Sequence, residues 1–164
     1  MEYSRLRVGI GFDTHQIGAD LDKALVLGGI TFDGPGLVAH SDGDVLVHAL
    51  LDSLLGPSGL GDIGKMFSDT DPANANRSSA EFLELALGKF NSLGWKILNS
   101  DCVVIADRPK ISPKVAEIQE FLSNSLNAPV AVKGKRTEGV VHQTEAVSCY
   151  VTSLLLAPED SQNV

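Results

Sequence analysis

Asp13 and His15 are spaced so that both side chains can bind one metal ion. They follow a strand-like segment at positions i and i+2, and alternate residues of a strand point to the same side. A carboxylate and an imidazole side by side supply two ligands for a divalent cation. Gly9 and Gly11 share that side and leave room for a bulky group to approach. A polar strand end in solvent is the alternative interpretation.

His48 is the best candidate for a third ligand. With Asp44 and Asp52 it has the spacing i, i+4 and i+8, which places three polar side chains in one stripe on a helix. Nearly all other residues of this helix are apolar, so it must be largely buried, and its polar groups need partners. A single helical histidine is more often a hydrogen-bonded core residue. The flanking carboxylates favour a ligand, because two imidazoles, one carboxylate and an open position are typical of catalytic zinc sites.

His40 and Ser41 lie directly before this helix. Because backbone N–H groups at a helix N-terminus attract anions, this segment is suited to binding a phosphate. Ser41 or Asp42 is also the predicted N-cap of the helix, and Ser41 is able to serve both purposes in different states.

Two loops after the helix carry weaker signals. Residues 59–64 are rich in glycine and include Asp62, so their backbone can approach a sugar or a phosphate. Asp69 and Asp71 follow in an acidic loop, where a simple turn explains them equally well.

Thr137 and Glu138 place a hydroxyl and a carboxylate after the basic run of residues 133–136. A solvated, charged strand end is the default interpretation of such a segment. A functional carboxylate beside the cations of this run is the alternative interpretation.

The elements that must position these residues form one domain over residues 1–164. Alternation over residues 6–12 predicts a half-buried strand with Leu6, Val8, Ile10 and Phe12 on the core side. Other patterns predict a hairpin over 24–32, a helix over 44–55, a helix from the capping box 78–81 to about 91, a strand over 95–106, a helix capped by Ser112 with the stripe Val115, Ile118, Leu122 and Leu126, and strands over 130–132 and 146–156. This order suggests an α+β or mixed α/β domain with helices on one face of a sheet.

Composition excludes several functions. The 164 residues are 43% apolar, and no apolar run approaches the ~20 residues of a membrane helix. A net charge of −8 without a long basic run disfavours nucleic-acid binding, although bound metal ions would allow a small anion to bind. Cys102 and Cys149 lie in apolar runs and predict two buried thiols. Without a secretory signal we expect a cytoplasmic protein, or a plastid stromal one if a transit segment has been removed.

Five segments together resemble 2-C-methyl-D-erythritol 2,4-cyclodiphosphate synthases. They are residues 11–15, 39–50, 60–72, 108–111 and 137–139, and the resemblance extends from about residue 7 to residue 156. It implies an α+β fold of ferredoxin-like type: a four-stranded mixed sheet with helices on one face, and a small N-terminal hairpin. It also implies a homotrimer in which the sheets pack together and the active sites lie between subunits.

The resemblance also implies a reaction and a set of roles. The substrate is 4-diphosphocytidyl-2-C-methyl-D-erythritol 2-phosphate, which is converted to the cyclic diphosphate with release of CMP. Asp13, His15 and His48 hold zinc, and Glu138 holds a second ion, Mg²⁺ or Mn²⁺. The implied substrate contacts are His40, Ser41, Asp62, Ile63, Gly64 and Asp69 at the phosphate and methylerythritol end, Arg136 and Thr137 at the phosphates, and Ala106, Pro109, Lys110 and Ile111 around cytosine.

The sequence departs from the family pattern in one region. Many members have a run of threonines before the glutamate, whereas here only Thr137 remains, after Lys135 and Arg136. The loop of residues 139–144 is shortened and lacks the arginine that many members carry. In the family this loop lines a channel on the trimer axis, and the missing arginine disfavours isoprenoid diphosphate binding there.

Two other functions remain as alternatives. A metallo-phosphohydrolase also uses Asp and His ligands, but it needs a base for water and more ligands for a paired metal centre. A non-catalytic trimeric scaffold or isoprenoid diphosphate sensor predicts eroded ligands around an intact core. The sequence shows intact ligands, which favours the synthase.

Overall fold

The computed structural model describes residues 3–68, 71, 74, 77–140 and 145–159. It confirms an α+β fold with a four-stranded mixed sheet and a separate two-stranded hairpin. The strands are β1 (Leu6–Gln16), β2 (Leu25–Leu27), β3 (Ile30–Phe32), β4 (Lys96–Ile105), β5 (Val130–Lys135) and β6 (Ala146–Leu156). The α-helices of the described residues are α1 (Val45–Leu55), α2 (Ile63–Met66), α3 (Ser79–Ser92) and α4 (Val115–Leu126).

The large sheet has the strand order β1-β6-β4-β5. β6 is antiparallel to both of its neighbours, and β4 is parallel to β5. β1, β4 and β5 therefore run in the same direction and end at the same edge of the sheet. Polar residues that follow or end these three strands are collected along that edge.

The prediction of which face of β1 is buried was wrong. A Cβ on Gly9 would lie 1.8 Å from the carbonyl oxygen of Ser53, and one on Gly11 would lie 1.8 Å from that of Ala49. The glycines thus bring the backbone of α1 directly onto β1, and they leave no room for a ligand. Val8 and Ile10, predicted as core residues, are on the opposite face. Close helix–strand packing needs the residues without side chains, so the glycine face is the inner one.

The outer face of β1 and β6 is apolar and exposed. Val8 is 69% exposed, Ile10 72%, Phe12 47% and Tyr150 46%. Phe12 and Tyr150 are paired in register, and their ring centroids are 4.7 Å apart. We call these four residues the apolar sheet patch. Contiguous apolar patches of this kind mark interaction surfaces.

The N-cap of α1 is Asp44. The prediction that Ser41 or Asp42 caps this helix was therefore wrong. The fully buried Asp44 carboxylate accepts hydrogen bonds from four backbone N–H groups, those of Gly28, Gly29, Leu46 and Val47. Burial raises the pKa of Asp44, while these hydrogen bonds act in the opposite direction. One side chain thereby fixes both the start of α1 and the β2–β3 hairpin beside it.

The capping box at the start of α3 is confirmed. The Ser78 hydroxyl accepts from the Glu81 N–H, and the Glu81 carboxylate accepts from the Ser78 N–H at 2.8 Å. The predicted Ser112 cap is wrong, because α4 begins after a 3₁₀ turn and no side chain caps it. Ile118, Leu122 and Leu126 are buried as predicted.

Replacing Ser78 with alanine should lower the free energy of unfolding by about 1 kcal/mol, the usual contribution of an N-cap hydroxyl. The Glu81 N–H would then lose its acceptor at the first turn of α3. Urea denaturation followed by circular dichroism measures the change. An unchanged unfolding midpoint would contradict a stabilising role for this cap.

Cys102 and Cys149 are free and buried, as the sequence predicts. Burial raises the pKa of the Cys102 thiol to about 12 and raises that of Cys149 as well. Both thiols are therefore unreactive core groups. In the described part of the chain, every helix is too short or too polar to cross a membrane.

Candidate functional site

Asp13, His15 and His48 converge as the sequence predicts. Oδ2 of Asp13 is 3.2 Å from Nε2 of His15 and 3.0 Å from Nδ1 of His48. The two imidazole nitrogens are 3.5 Å apart. These are the ligand atoms of one potential metal site, and among the described residues no other group of three or more such side chains is arranged in this way.

The packing of α1 on β1 brings the three side chains together. β1 continues to Gln16, so Asp13 and His15 are strand residues and do not follow the strand. They project to the same face as Gly9 and Gly11, where the helix lies. His48 reaches them from α1 one turn before Asp52.

The charges of the cluster are strongly coupled. Burial raises the pKa of Asp13, but hydrogen bonds and charge interactions with His15 and His48 outweigh it, and the net pKa lies well below the usual range. Burial likewise lowers the pKa of His48, while the Asp13 carboxylate raises it to a net value above the usual one. The carboxylate oxygen and the two imidazole nitrogens together form a donor set that divalent cations prefer. At a pH below the raised pKa of His48, a cation must displace a proton from the His48 ring in order to bind.

The cluster lies in a cavity of about 740 Å³. Four residues predicted to contact substrate, His40, Ser41, Ile63 and Gly64, line this cavity as well. Its apolar wall includes Phe67 and Phe82, whose ring centroids are 4.7 Å apart. These four residues therefore share one cavity with the metal-ligand group, whereas Asp62 does not line it, and the sequence analysis did not identify the aromatic wall.

Asp52 connects the helix to the glycine-rich loop. Its carboxylate accepts a hydrogen bond of 2.8 Å from the backbone N–H of Ile63, and burial raises its pKa. Asp62 caps α2 by accepting from the Lys65 N–H at 2.7 Å. The four-residue helix α2 was predicted as loop, because one turn is too short to show a periodic pattern.

The other predicted substrate residues form a separate group at the ends of β4 and β5. The N–H of Ala106 donates to the carbonyl of Lys135 at 3.0 Å, which joins the two strand ends. Thr137 donates to Asp107 through its N–H at 3.1 Å and through its hydroxyl, and these hydrogen bonds lower the pKa of Asp107. The group comprises Ala106, Pro109, Lys110, Ile111, Arg136, Thr137 and Glu138, of which Ala106, Ile111 and Thr137 are buried.

Within one chain no residue of this group lines the cavity that holds the Asp13–His15–His48 cluster. Asp13, Cys149, Val104 and Gly134 are aligned across the four strands. Three interstrand spacings of 4.7–4.9 Å place the backbone of Gly134 ~14 Å from that of Asp13. Pro109 lines a different cavity of about 660 Å³, and Glu138 lines neither cavity. Asp69 and most of the shortened 139–144 loop (residues 141–144) lie outside the described residues.

Besides the aromatic wall, three polar contributors were missed by sequence reasoning. Ser79 contacts His48, Asp42 contacts Ser79, and Asp107 holds Thr137. Asp42 was noticed only as a possible cap. One signal in the sequence could have identified Ser79. It is a second serine directly after the N-cap of α3, and Ser78 alone is sufficient for capping.

Known proteins of one family resemble this chain over most of its length. The model of the YgbB family matches residues 6–156. The 2-C-methyl-D-erythritol 2,4-cyclodiphosphate synthase of Aquifex aeolicus is 46% identical over 155 residues, which are 92% of this chain and 97% of that protein.

Solved structures show the same similarity. A 2C-methyl-D-erythritol-2,4-cyclodiphosphate synthase in a CDP-bound form superposes with a TM-score of 0.83 at 36% identity, covering 91% of this chain and 99% of that one. The bifunctional IspDF of Campylobacter jejuni gives a TM-score of 0.85 at 34% identity. It covers 93% of this chain, which spans only 42% of that longer protein.

Proposed function

The chain belongs to the YgbB family and has the 2-C-methyl-D-erythritol 2,4-cyclodiphosphate synthase activity of non-mevalonate isoprenoid biosynthesis, and from this premise we propose that Asp13, His15 and His48 bind zinc. The observation that carries the proposal is their convergence inside the cavity that His40, Ser41, Ile63 and Gly64 also line.

The reaction converts 4-diphosphocytidyl-2-C-methyl-D-erythritol 2-phosphate to the cyclic diphosphate and CMP. An oxygen of the 2-phosphate attacks the β-phosphorus of the same molecule, and the bond to CMP breaks. Because the attacking phosphate belongs to the substrate itself and no water is consumed, the enzyme is a phosphorus–oxygen lyase. No side chain acts as a nucleophile, and the enzyme works by alignment and charge neutralisation. When bound, zinc withdraws negative charge from a phosphate oxygen.

The residues of the cavity hold the methylerythritol end of the substrate. His40 and Ser41 lie before α1 and contact the phosphate. Asp52 fixes the Ile63 N–H, so that Asp62 and Gly64 are placed to bind a sugar hydroxyl. Asp69 contacts the methylerythritol. The wall of Phe67 and Phe82 keeps water away from the reacting phosphates.

The group at the ends of β4 and β5 holds the other end. Ala106, Pro109, Lys110 and Ile111 surround cytosine, largely through backbone groups. Thr137, which Asp107 orients, and Arg136 contact the phosphates. Glu138 holds a second ion, Mg²⁺ or Mn²⁺. The two ions offset the charge of a protein with a net charge of −8 that binds a highly anionic substrate.

We propose a homotrimer in which one subunit supplies the zinc ligands and its neighbour supplies the cytosine and Glu138 group. The ~14 Å between the backbones of Asp13 on β1 and Gly134 near the end of β5 supports this arrangement. The apolar sheet patch supports it too, since burying it against other subunits removes Val8, Ile10, Phe12 and Tyr150 from water. A ferredoxin-like description of the fold and one domain over residues 1–164 belong to the same proposal.

The direct test is incubation with the diphosphocytidyl substrate and phosphorus NMR of the products. Appearance of CMP and a cyclic diphosphate supports the proposal. Release of inorganic phosphate instead would indicate a phosphohydrolase, which the single metal-ligand group of the described residues does not favour.

Replacing Glu138 with glutamine should leave zinc bound and lower Mg²⁺- or Mn²⁺-dependent turnover at least about tenfold, because the amide no longer attracts the second ion. Metal analysis and a titration of turnover with Mg²⁺ measure the two effects. Glu120→Gln, on an exposed position of α4, is the matched control. An unaltered metal dependence of Glu138→Gln would contradict the assignment.

A further inference from the structure

The ring of His48 has partners at both nitrogens. Nδ1 faces Asp13 Oδ2 at 3.0 Å, on the side of the metal-ligand cluster. Nε2 faces the hydroxyl oxygen of Ser79 at 3.0 Å, on the opposite side of the ring. Ser79 is the first residue of α3 and is 1% exposed, so water does not reach this contact.

Ser79 is held in turn by Asp42. The N–H of Ser79 donates to Asp42 Oδ2 at 2.8 Å, and its hydroxyl forms a short hydrogen bond with Asp42 Oδ1. A carboxylate has no proton to donate, so the hydroxyl proton points to Asp42. The Ser79 oxygen then meets His48 only as an acceptor.

This geometry determines that Nε2 of His48 carries a proton, while the Asp13 carboxylate accepts from Nδ1 in the metal-free protein. Because Ser79 accepts, Nε2 must be the donor. We propose that Asp42 and Ser79 are positioning residues that keep a proton on Nε2 of His48, so that an ion displaces the Nδ1 proton shared with Asp13 and binds Nδ1. The inference rests on the proposed zinc site, and it assigns the pair of residues that orients one of the ligands.

The contact is not part of the capping of α3. Ser78 and Glu81 form the capping box, whereas Ser79 points away from it to His48 and Asp42. The chain of contacts joins the loop before α1, the start of α3 and the centre of α1. Removing the Ser79 hydroxyl leaves the buried Nε2–H without an acceptor, which favours rotation of the ring or the other tautomer.

The first test compares zinc affinity by chelator competition in neighbouring serine variants. Ser79→Ala should bind zinc ~10–100-fold more weakly than the unmodified protein, the range expected for loss of an outer hydrogen-bond partner. Ser78→Ala is the control, because it weakens the same helix end without touching His48, and its zinc affinity should not change. Equal affinities in Ser79→Ala and the unmodified protein would overturn the inference.

Asp42→Asn provides a second variant of the same size. If its oxygen accepts from the Ser79 N–H, its NH₂ faces the hydroxyl and turns it toward His48 as a donor, which puts the imidazole proton on Nδ1. If the amide is reversed, its NH₂ meets the Ser79 N–H. Zinc affinity should therefore fall at least as far as in Ser79→Ala. An unchanged affinity would contradict the proposed positioning of His48 by Asp42 and Ser79.

The second test observes the ring protons of His48 directly in the unmodified protein. Long-range ¹H–¹⁵N spectra recorded without and with Zn²⁺ show which ring nitrogens carry protons in each state. The chain has four histidines, and His48→Ala identifies the relevant signals by their absence. A proton on Nε2 in both states supports the inference, and an Nε2 without a proton in either state overturns it. If the unmodified protein binds no zinc, the proposed metal site fails, while the Nε2 proton of the metal-free protein still decides this inference.

Discussion

His48→Ala is expected to lose zinc and turnover while it keeps the fold and the trimer. The variant retains Asp13 and His15, but two ligands on one strand hold zinc much less tightly than three. Since loss of an outer hydrogen-bond partner already costs ~10–100-fold in affinity, loss of a direct ligand should cost more than 100-fold. Alanine has a higher helix propensity than histidine, so α1 itself should persist.

Metal analysis, light scattering and the phosphorus NMR assay measure the three properties. His40→Ala is the informative comparison, because His40 lines the cavity without belonging to the metal-ligand group. It should keep stoichiometric zinc and lose turnover through weaker phosphate contact. Stoichiometric zinc in His48→Ala would refute the ligand assignment.

Local signals in the sequence predicted the elements and the metal-ligand group well. The capping box at Ser78, the stripe of α4 and the i, i+2 spacing of Asp13 and His15 depend only on near neighbours in the chain. The polar stripe of α1 also marked His48 and Asp52 as residues with specific partners, because a polar side chain on a buried helix must be hydrogen-bonded. Asp44 belongs to the same stripe, but its carboxylate accepts hydrogen bonds from the backbone N–H groups of Gly28 and Gly29 and is not part of the metal-ligand group.

Distant contacts could not be predicted from the sequence. The apolar side of β1 looked like the core side, since a single sequence does not tell whether a chain covers such a face with its own helix or with another copy. Gly9 and Gly11 were interpreted as leaving space for a ligand, whereas in the structure α1 packs directly against them. Ser79 and Asp42 meet through the packing of α3, 37 residues apart in the chain, so no local pattern relates them.

Ile10→Glu is expected to dissociate the trimer and to remove turnover. Ile10 is 72% exposed in the single chain, so the substitution costs the monomer little burial. In the proposed assembly it buries three like charges near the trimer axis, which is unfavourable without partners. The monomer keeps Asp13, His15 and His48 and should still bind zinc.

Light scattering gives the mass, circular dichroism checks the fold, and the phosphorus NMR assay gives turnover. Leu85→Glu is the matched control, because Leu85 is 48% exposed on α3, away from the apolar sheet patch. It should remain trimeric and active. A trimeric Ile10→Glu protein would contradict the proposed interface, and a fully active monomer would contradict the shared active site.

Mixed trimers test the shared site directly. If the zinc ligands and Glu138 of one site come from different subunits, co-refolding equal amounts of His48→Ala and Glu138→Gln chains should restore activity. Each site then needs a Glu138→Gln chain on the zinc side and a His48→Ala chain on the other, so about a quarter of the sites are intact in random trimers. If both groups came from the same chain, no site would be intact, and the mixture would remain as inactive as its components. The ~14 Å that separates Asp13 from Gly134 across the sheet is the structural reason to expect recovery.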